Sequence, residues 1–369
     1  MKPIRILQVV TIMNRGGLET MLMNYYREMD RSKIQFDFMV HRMEEGHYDE
    51  EIKKLGGNIF RMPPIRPGHY RKYFKRLNEF FVNHNEYKVV HSHINENSSF
   101  VLRAAKTVGV PCRIAHSHLS DLGFDFKLPF RLYARYSMKN YPNSYFACSV
   151  KAGQWLFNNR STSTKEVIVL NNAVNTKEFR YNENMRNDIR NELGIDKSQL
   201  VIGHVGRFNK QKNHEYLIDI FHAVYKQRPN SILTLVGDGD LRQGIERKVK
   251  SLGLSANVKF LGVRNDISNL MQAMDLFLFP SLFEGLPVVL VEAQAAGLQC
   301  IVSDAITVES NITGNVEYIS LGEPTETWAG KILSASYEHK DTSRILNEQG
   351  YDTKSMSKWL MEYYREHAL

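Results

Sequence analysis

The chain has 369 residues, 43% of them apolar and 24% charged, which excludes a largely disordered protein and suffices for two domains of roughly 150 to 200 residues, each with its own core. Its formal net charge of +8 is uneven, with residues 1–165 carrying +12 and residues 166–369 carrying −4. The basic half points to an anionic partner (nucleic acid, a lipid surface or a phosphorylated substrate), against the plain alternative of a solvated basic face.

The N-terminus "MKPIRILQVVTIMNRGG" holds an apolar run, but Arg5 and Gln8 interrupt it and no small-residue cleavage site follows, so a secretory signal is not expected. "IRILQVV" predicts a buried strand, "TIMNRGG" a loop and "LETMLMNYYREM" a helix with its apolar residues at helical spacing. "YKVVHSH" and "CRIAHSH" continue the strand pattern. The polar stretch from about Val169 to Ile195 predicts a hinge region between two halves. The same syntax then returns: "QLVIGHVG" as strand, "RFNKQKN" as loop, "HEYLIDIFHAVYKQ" as helix, and "SILTLVG" followed by the helical "DGDLRQGIERKVKSLGL". "NVKFLG", "DLFLFP" and "QCIVSD" are further strands, with helical patterns such as "DISNLMQAM" between them. Strands alternating with helices predict an α/β chain of two doubly wound, Rossmann-like domains with parallel sheets, whose ligands bind beyond the carboxyl ends of the strands. The expected boundaries are 1–168 and 169–351, with the segment 352–369 ("SKWLMEYYREHAL" at helical spacing) crossing back onto the first domain.

No run of about 18 apolar residues appears, so no membrane span is expected. Cys112, Cys148 and Cys300 lie far apart without the spacing of a zinc site or a disulfide framework, which fits a reducing compartment. The two "HSH" strands present imidazoles at i and i+2 on one face, and four such rings raise a metal site as an alternative.

Several loops carry chemistry. Gly16 and Gly17 stand between a strand and a helix, where backbone N–H groups would meet an anion, although no spaced dinucleotide fingerprint is present and a plain pair of turn glycines is the alternative. In "VGRFNKQKN", Gly206 precedes Arg207 and Lys212, two cations flanking a helix start that suit a pyrophosphate, or else remain solvated. "LVGDGD" with Gly237 and "FLGVRND" with Val263 add strand-end loops open to a base or ribose. In "FPSLFEGLPVVLVEAQAAG", Glu284 lies in the turn after a buried strand, Gly285 and Leu286 follow, Pro287 suits a first helical turn, and Glu292 lies about two turns into the helix. One carboxylate placed there would meet a sugar and the other accept both hydroxyls of a ribose, against the plain alternative of a helix-start acid and a paired helix acid.

Together with "GGLET" these motifs resemble the retaining nucleotide-sugar glycosyltransferases of family 4, which have the two-domain GT-B fold with its domains facing across a cleft; the Glu-x7-Glu pattern is met by Glu284 and Glu292. The resemblance runs from Ile4 to about Leu321 and is strongest to bacterial enzymes of exopolysaccharide and capsule synthesis. It implies that Arg207 and Lys212 hold the donor diphosphate, that Glu292 binds the ribose, that Glu284 touches the transferred sugar and that Gly16 and Gly17 approach the donor. His118 matches a histidine that contacts the donor sugar, with His116 as the alternative register. Relatives carry Asn-Gly-Val-Asp at the hinge where this chain has Asn171-Asn172-Ala173-Val174-Asn175, and a left-handed Asn172 would stand in for the glycine.

The function implied is transfer, with retention, of a hexose or N-acetylhexosamine from a nucleotide diphosphate sugar, a uridine donor first, to a lipid-linked saccharide. The resemblance implies neither metal nor other cofactor. The expected location is the cytoplasm, at the inner face of the membrane. There the aromatic and basic residues of Arg61–Phe81 and of "KLPFRLYARYSMKNY" would lie on anionic lipid, unless they form an ordinary core helix with a basic outer face. A non-catalytic nucleotide-sugar sensor is the alternative function. A pyridoxal-dependent phosphorylase normally needs a longer chain, and nucleic-acid binding leaves the second-half motifs without a purpose.

Overall fold

The structure, a computed structural model, describes residues 2–65, 69–118, 128–157 and 166–368. It divides into two compact units, Met1–Ala173 with Thr353–Leu369, and Val174–Asp352.

The first unit is built on seven parallel strands: β1 (Ile4–Val10), β2 (Ile34–Val40), β3 (Ile59–Arg61), β4 (Val89–Ser92), β5 (Cys112–Ser117), β6 (Ser144–Ala147) and β7 (Val167–Val169). Their spatial order is β3-β2-β1-β4-β5-β6-β7, so the winding direction reverses between β1 and β4. One face packs Leu7, Val9, Val90 and Ala115 against Tyr73, Leu77 and Phe81 of helix Tyr70–Asn83 and against Val101, Leu102 and Ala105. Helix Thr353–His367 also belongs to this unit: Tyr364 bonds to Gln8 and His91, and Ser357 Oγ donates to Tyr25 O at 3.3 Å.

The second unit holds six parallel strands: β8 (Leu200–Val205), β9 (Ser231–Val236), β10 (Val258–Gly262), β11 (Leu276–Phe279), β12 (Gln299–Ser303) and β13 (Val316–Ile319). Their order is β10-β9-β8-β11-β12-β13, with the reversal between β8 and β11. Every residue of β9 and β11 is buried, which explains why these segments read as continuous apolar runs rather than alternations. The two doubly wound parallel sheets expected from the alternating strands and helices are therefore present.

Three details differ from the sequence reading. The stretch read as a hinge does contain the boundary between the two units, at Ala173/Val174, but its later part is packed structure: it forms helix Glu183–Glu192, whose Arg186 and Arg190 pair with Asp275, the latter at 2.8 Å, while Arg190 Nε donates to Ala273 O. Its polar residues serve internal hydrogen bonds as well as solvent. Asn172 is not left-handed; among the described residues Asn95 (φ 48°) and Asn213 (φ 54°) are the non-glycine residues with positive φ. Strand β2 went unread because Gln35 and Asp37 break its apolar run, yet all seven residues are buried.

Asp37 is tolerated there because the fold surrounds it with donors. Arg5 Nε lies 2.5 Å away, Tyr87 Oη 2.7 Å and the backbone N–H of Asn58 2.6 Å. Asp37→Ala removes the shared acceptor, leaves the buried Tyr87 hydroxyl without it and breaks the ion pair of the partly exposed Arg5. It is expected to destabilise by about 3–5 kcal/mol, measured by urea denaturation of the purified protein.

Candidate active site

In the second unit, the loops that follow β8 and β11 diverge from neighbouring strands, which leaves a crevice at the carboxyl edge of the sheet. Four interactions tie the loops together across it. The backbone N–H of Leu282 donates to Gln211 O at 2.8 Å, Gln211 Nε2 to Phe283 O at 3.0 Å, and Asn213 Nδ2 to Pro280 O at 3.1 Å. The fourth is an ion pair: Lys212 Nζ sits 2.6 Å from Glu284 Oε1, with both side chains largely buried. The ammonium also lies 4.4 Å from the centre of the Phe279 ring.

Local sequence explains the path. Asn209 caps the turn Lys210–Lys212 by accepting from the Lys212 N–H, and the left-handed Asn213 turns the chain into helix His214–Gln227. Gly237, at φ 133°, brings the end of β9 so close to Gly206 that a Cβ would collide with the Gly206 carbonyl. Gly237 N–H donates in turn to Gly262 O at 2.8 Å, and Val263 stands exposed just beyond. Arg207 is exposed in the same loop as Gly206. Arg207, Lys212, Gly206, Gly237, Val263 and Glu284 thus all lie at one edge of one sheet.

Glu284 forms an isolated bridge with Ile306, Gly285 faces open space, and Leu286 and Pro287 are buried. Pro287 is the N-cap of helix Val288–Ala295 rather than a residue of its first turn. Glu292 consequently lies about one turn into that helix, not two. Its carboxylate has no hydrogen-bond or ion-pair partner among the described residues. Burial pushes its pKa up to about 7.

In the first unit, Gly16 caps helix Gly17–Glu28 after β1, with φ −116° and ψ 169°. A side chain at Gly16 would collide with the Glu19 carboxylate, which folds back over the cap and whose pKa burial raises to about 7. Sequence reading passed over Glu19; its signal was an acid three residues after a glycine cap. His118 closes β5, half-buried, with its backbone N–H held by Asn95 Oδ1 at 2.9 Å. His116 is wholly buried.

All four histidines of the two "HSH" segments meet. His91 Nε2 lies 3.1 Å from His116 Nδ1, and His93 Nδ1 lies 3.0 Å from His118 Nε2. Burial drives all four pKa values down, that of His118 to about 3, so the rings are neutral at pH 7. His91, His93 and His116 offer ligand atoms within 4.8 Å of one another, the spacing a metal would need. Both nitrogens of His91 and of His93 are already hydrogen-bonded, so a cation would have to displace those bonds.

Residues 185–352 match the family model described as glycosyl transferases group 1. A putative glycosyltransferase of Bacillus subtilis, EpsF, is 37% identical over 370 residues, which cover 98% of this chain and 96% of the relative. The chain belongs to the group 1 glycosyltransferases. An Escherichia coli relative, UDP-Gal:alpha-D-GlcNAc-diphosphoundecaprenol alpha-1,3-galactosyltransferase, is 30% identical over 241 residues, 62% of this chain and 59% of its own. Among solved structures, Anabaena Alr3699/HepE in complex with UDP-glucose superposes with a TM-score of 0.78 at 18% identity, covering 98% of this chain and 99% of that one. That likeness bears out the GT-B fold class.

The segment Arg61–Phe81 of this glycosyltransferase resolves into two faces. Tyr73 and Phe81 are fully buried, Phe74 and Phe80 pack partly into the core, and Tyr70 stacks on Phe130 at 5.0 Å. Arg71, Lys72, Lys75 and Arg76 are exposed. Residues 66–68 lie outside the described residues. The aromatic side chains therefore hold the helix to the protein, and its solvent face carries the four basic residues together with Asn78, Glu79 and Val82, Lys75 and Glu79 lying 3.8 Å apart. The second segment differs: Leu132, Tyr133 and Tyr136 of helix Leu128–Ser137 are exposed, the last at 68%.

The carboxyl of Glu292 titrates near 7 when folded and near 4.5 when unfolded, so the native state holds its proton more tightly. Its ionisation penalty is absent below about pH 4.5 and fully developed above pH 7. Glu292→Gln is accordingly expected to raise stability at pH 8 by about 1–3 kcal/mol and to leave it unchanged at pH 4.5, read from urea unfolding at the two pH values.

Proposed function

We propose that this glycosyltransferase moves a hexose or N-acetylhexosamine from a uridine diphosphate sugar to a lipid-linked saccharide during exopolysaccharide or capsule synthesis, retaining the anomeric configuration. The observation that carries the reading is the Lys212–Glu284 pair spanning the β8/β11 switch point, with Arg207 in the same loop and an unpartnered Glu292 on the next helix. An ammonium there is held in place before any ligand arrives, which suits it to the charge of a departing diphosphate. Arg207, exposed and free to swing, is the second cation. Glu284 fixes Lys212 and meets the transferred sugar, while Glu292 receives the ribose hydroxyls and gains the partners it lacks. The UDP-glucose complex of the Anabaena neighbour supports a uridine donor, and the E. coli relative supports a diphosphoundecaprenol-linked acceptor.

Among the described residues no side chain is assigned as a nucleophile beside these groups. The reading is therefore front-face attack through an ion-pair-like transition state, in which the leaving phosphate oxygen takes the acceptor's proton. No metal is required, because Lys212, Arg207 and backbone N–H groups neutralise the diphosphate; activity should survive chelation.

Lys212→Ala and Arg207→Ala are each expected to lower kcat on the order of 10² to 10³, measured as UDP release with a saccharide acceptor, with the product anomer read by NMR. Near-native turnover in both variants, or an inverted anomer, defeats the assignment. Tight UDP-sugar binding without turnover on any acceptor would instead make the protein a sensor.

The membrane contact is proposed in a modified form: the basic outer face of helix Tyr70–Asn83 supplies attraction, and Leu132, Tyr133 and Tyr136 supply the apolar contact at the cytoplasmic leaflet. Each basic residue contributes about 1 kcal/mol near an anionic surface. Cosedimentation with anionic vesicles at low salt is expected, reduced several-fold by replacing Arg71, Lys72, Lys75 and Arg76 with Gln. Absence of wild-type binding would end the proposal.

A further inference from the structure

Gln8, which interrupts the apolar run of the N-terminal segment, is wholly buried in the middle of β1. Its amide stands at the branch point of a hydrogen-bonded chain. Gln8 Oε1 lies 2.8 Å from His93 Nε2, and Gln8 Nε2 donates to Tyr364 Oη at 3.2 Å. Beyond these, His93 Nδ1 meets His118 Nε2 at 3.0 Å, Tyr364 Oη meets His91 Nδ1 at 2.7 Å, and His91 Nε2 meets His116 Nδ1 at 3.1 Å.

The donors and acceptors of this chain can be counted, because a neutral imidazole has one N–H and one bare nitrogen, and an amide has distinct donor and acceptor ends. The amide oxygen only accepts, so His93 carries its proton on Nε2. Its Nδ1 is then bare, and the His118 Nε2 beside it must be the donor. On the other branch, the Tyr364 oxygen accepts from the amide, and its own proton goes to His91 Nδ1. His91 therefore donates through Nε2 to a bare His116 Nδ1. The His116 proton is left on Nε2, the one buried nitrogen of the four rings without a partner.

We propose that the orientation of the single Gln8 amide sets one tautomer, Nε2–H, in all four histidines, and so makes His118 present a bare Nδ1 at the end of β5. Turning the amide over would reverse every bond and place all four protons on Nδ1, so the network has two states and no mixed one. The His118 Nδ1 has no protein partner among the described residues. It accepts, and does not donate, a hydrogen bond. Resting on the reading of His118 as a contact of the donor sugar, this identifies its ligand as a hydroxyl of the sugar rather than an oxygen of the diphosphate. Gln8 and Tyr364 are positioning residues that act through it, and helix Thr353–His367 supplies one of them.

The full chain labelled with 15N-histidine, with rings correlated through their C–H protons, reports each nitrogen as protonated or bare. Expected are four Nε2–H rings, with His118 assigned through His118→Gln. An Nδ1–H signal or averaged shifts at His91, His93, His116 or His118 overturn the wiring. Gln8→Leu is expected to release His93 and His118 to averaged shifts; a folded variant with the wild-type shifts removes Gln8 from the role, and the wild-type spectrum decides the tautomers whether or not that variant folds. Adding UDP-glucose to wild type should move the His118 Nδ1 shift toward the hydrogen-bonded range. UDP-glucose binding, seen at other resonances, with that shift unchanged would overturn the sugar contact and leave the wiring standing.

Discussion

A parallel sheet delivers every strand end to the same edge, and where the winding reverses, two successive loops turn away from each other. Between β8 and β11 that geometry leaves a crevice whose walls would otherwise be unconnected. The Lys212–Glu284 pair closes the circuit, with three hydrogen bonds around it. Two opposite charges held mostly out of water are stable only together, so each fixes the other's position before a substrate is present. The surrounding features answer to this demand: the Asn209 cap, the left-handed Asn213 and the glycine contact between Gly206 and Gly237 all shape the loop that aims Lys212.

The first unit handles buried polarity differently. Asp37 is paid for by three donors converging on one carboxylate, whereas the histidines are kept neutral and bonded to one another. Neutral rings avoid the desolvation cost that a charge would carry at that depth, and a chain of them carries directional information because each bond has a donor end and an acceptor end.

Much of this was legible in the sequence, for identifiable reasons. Strands β8, β9, β11 and β12 are buried on both faces and appear as apolar runs bounded by glycine or polar loops, so they stand out without knowledge of their neighbours. The site loops follow those strands directly, which is why Gly206, Arg207, Lys212, Gly237, Val263 and Glu284 could be placed at one edge. What escaped depended on partners distant in the chain. Asp37 needs Arg5 and Tyr87, Gln8 needs Tyr364, and Arg190 needs Asp275 before any of them fits a buried position. The aromatics of helix Tyr70–Asn83 show the same blindness from the other side, because alternating basic and aromatic residues do not reveal which face the protein itself covers.

The chain leaves the first unit after Ala173 and re-enters it at Thr353. Helix Thr353–His367 brings Tyr364 into the interior, beneath Gln8 and His91, so that interior is unfinished until the intervening 174–352 segment has been made. At about 5–20 residues per second the delay is roughly 10–40 s. During synthesis the amino-terminal sheet therefore waits with polar groups uncovered, and the part of the protein translated first is the last to reach its final form.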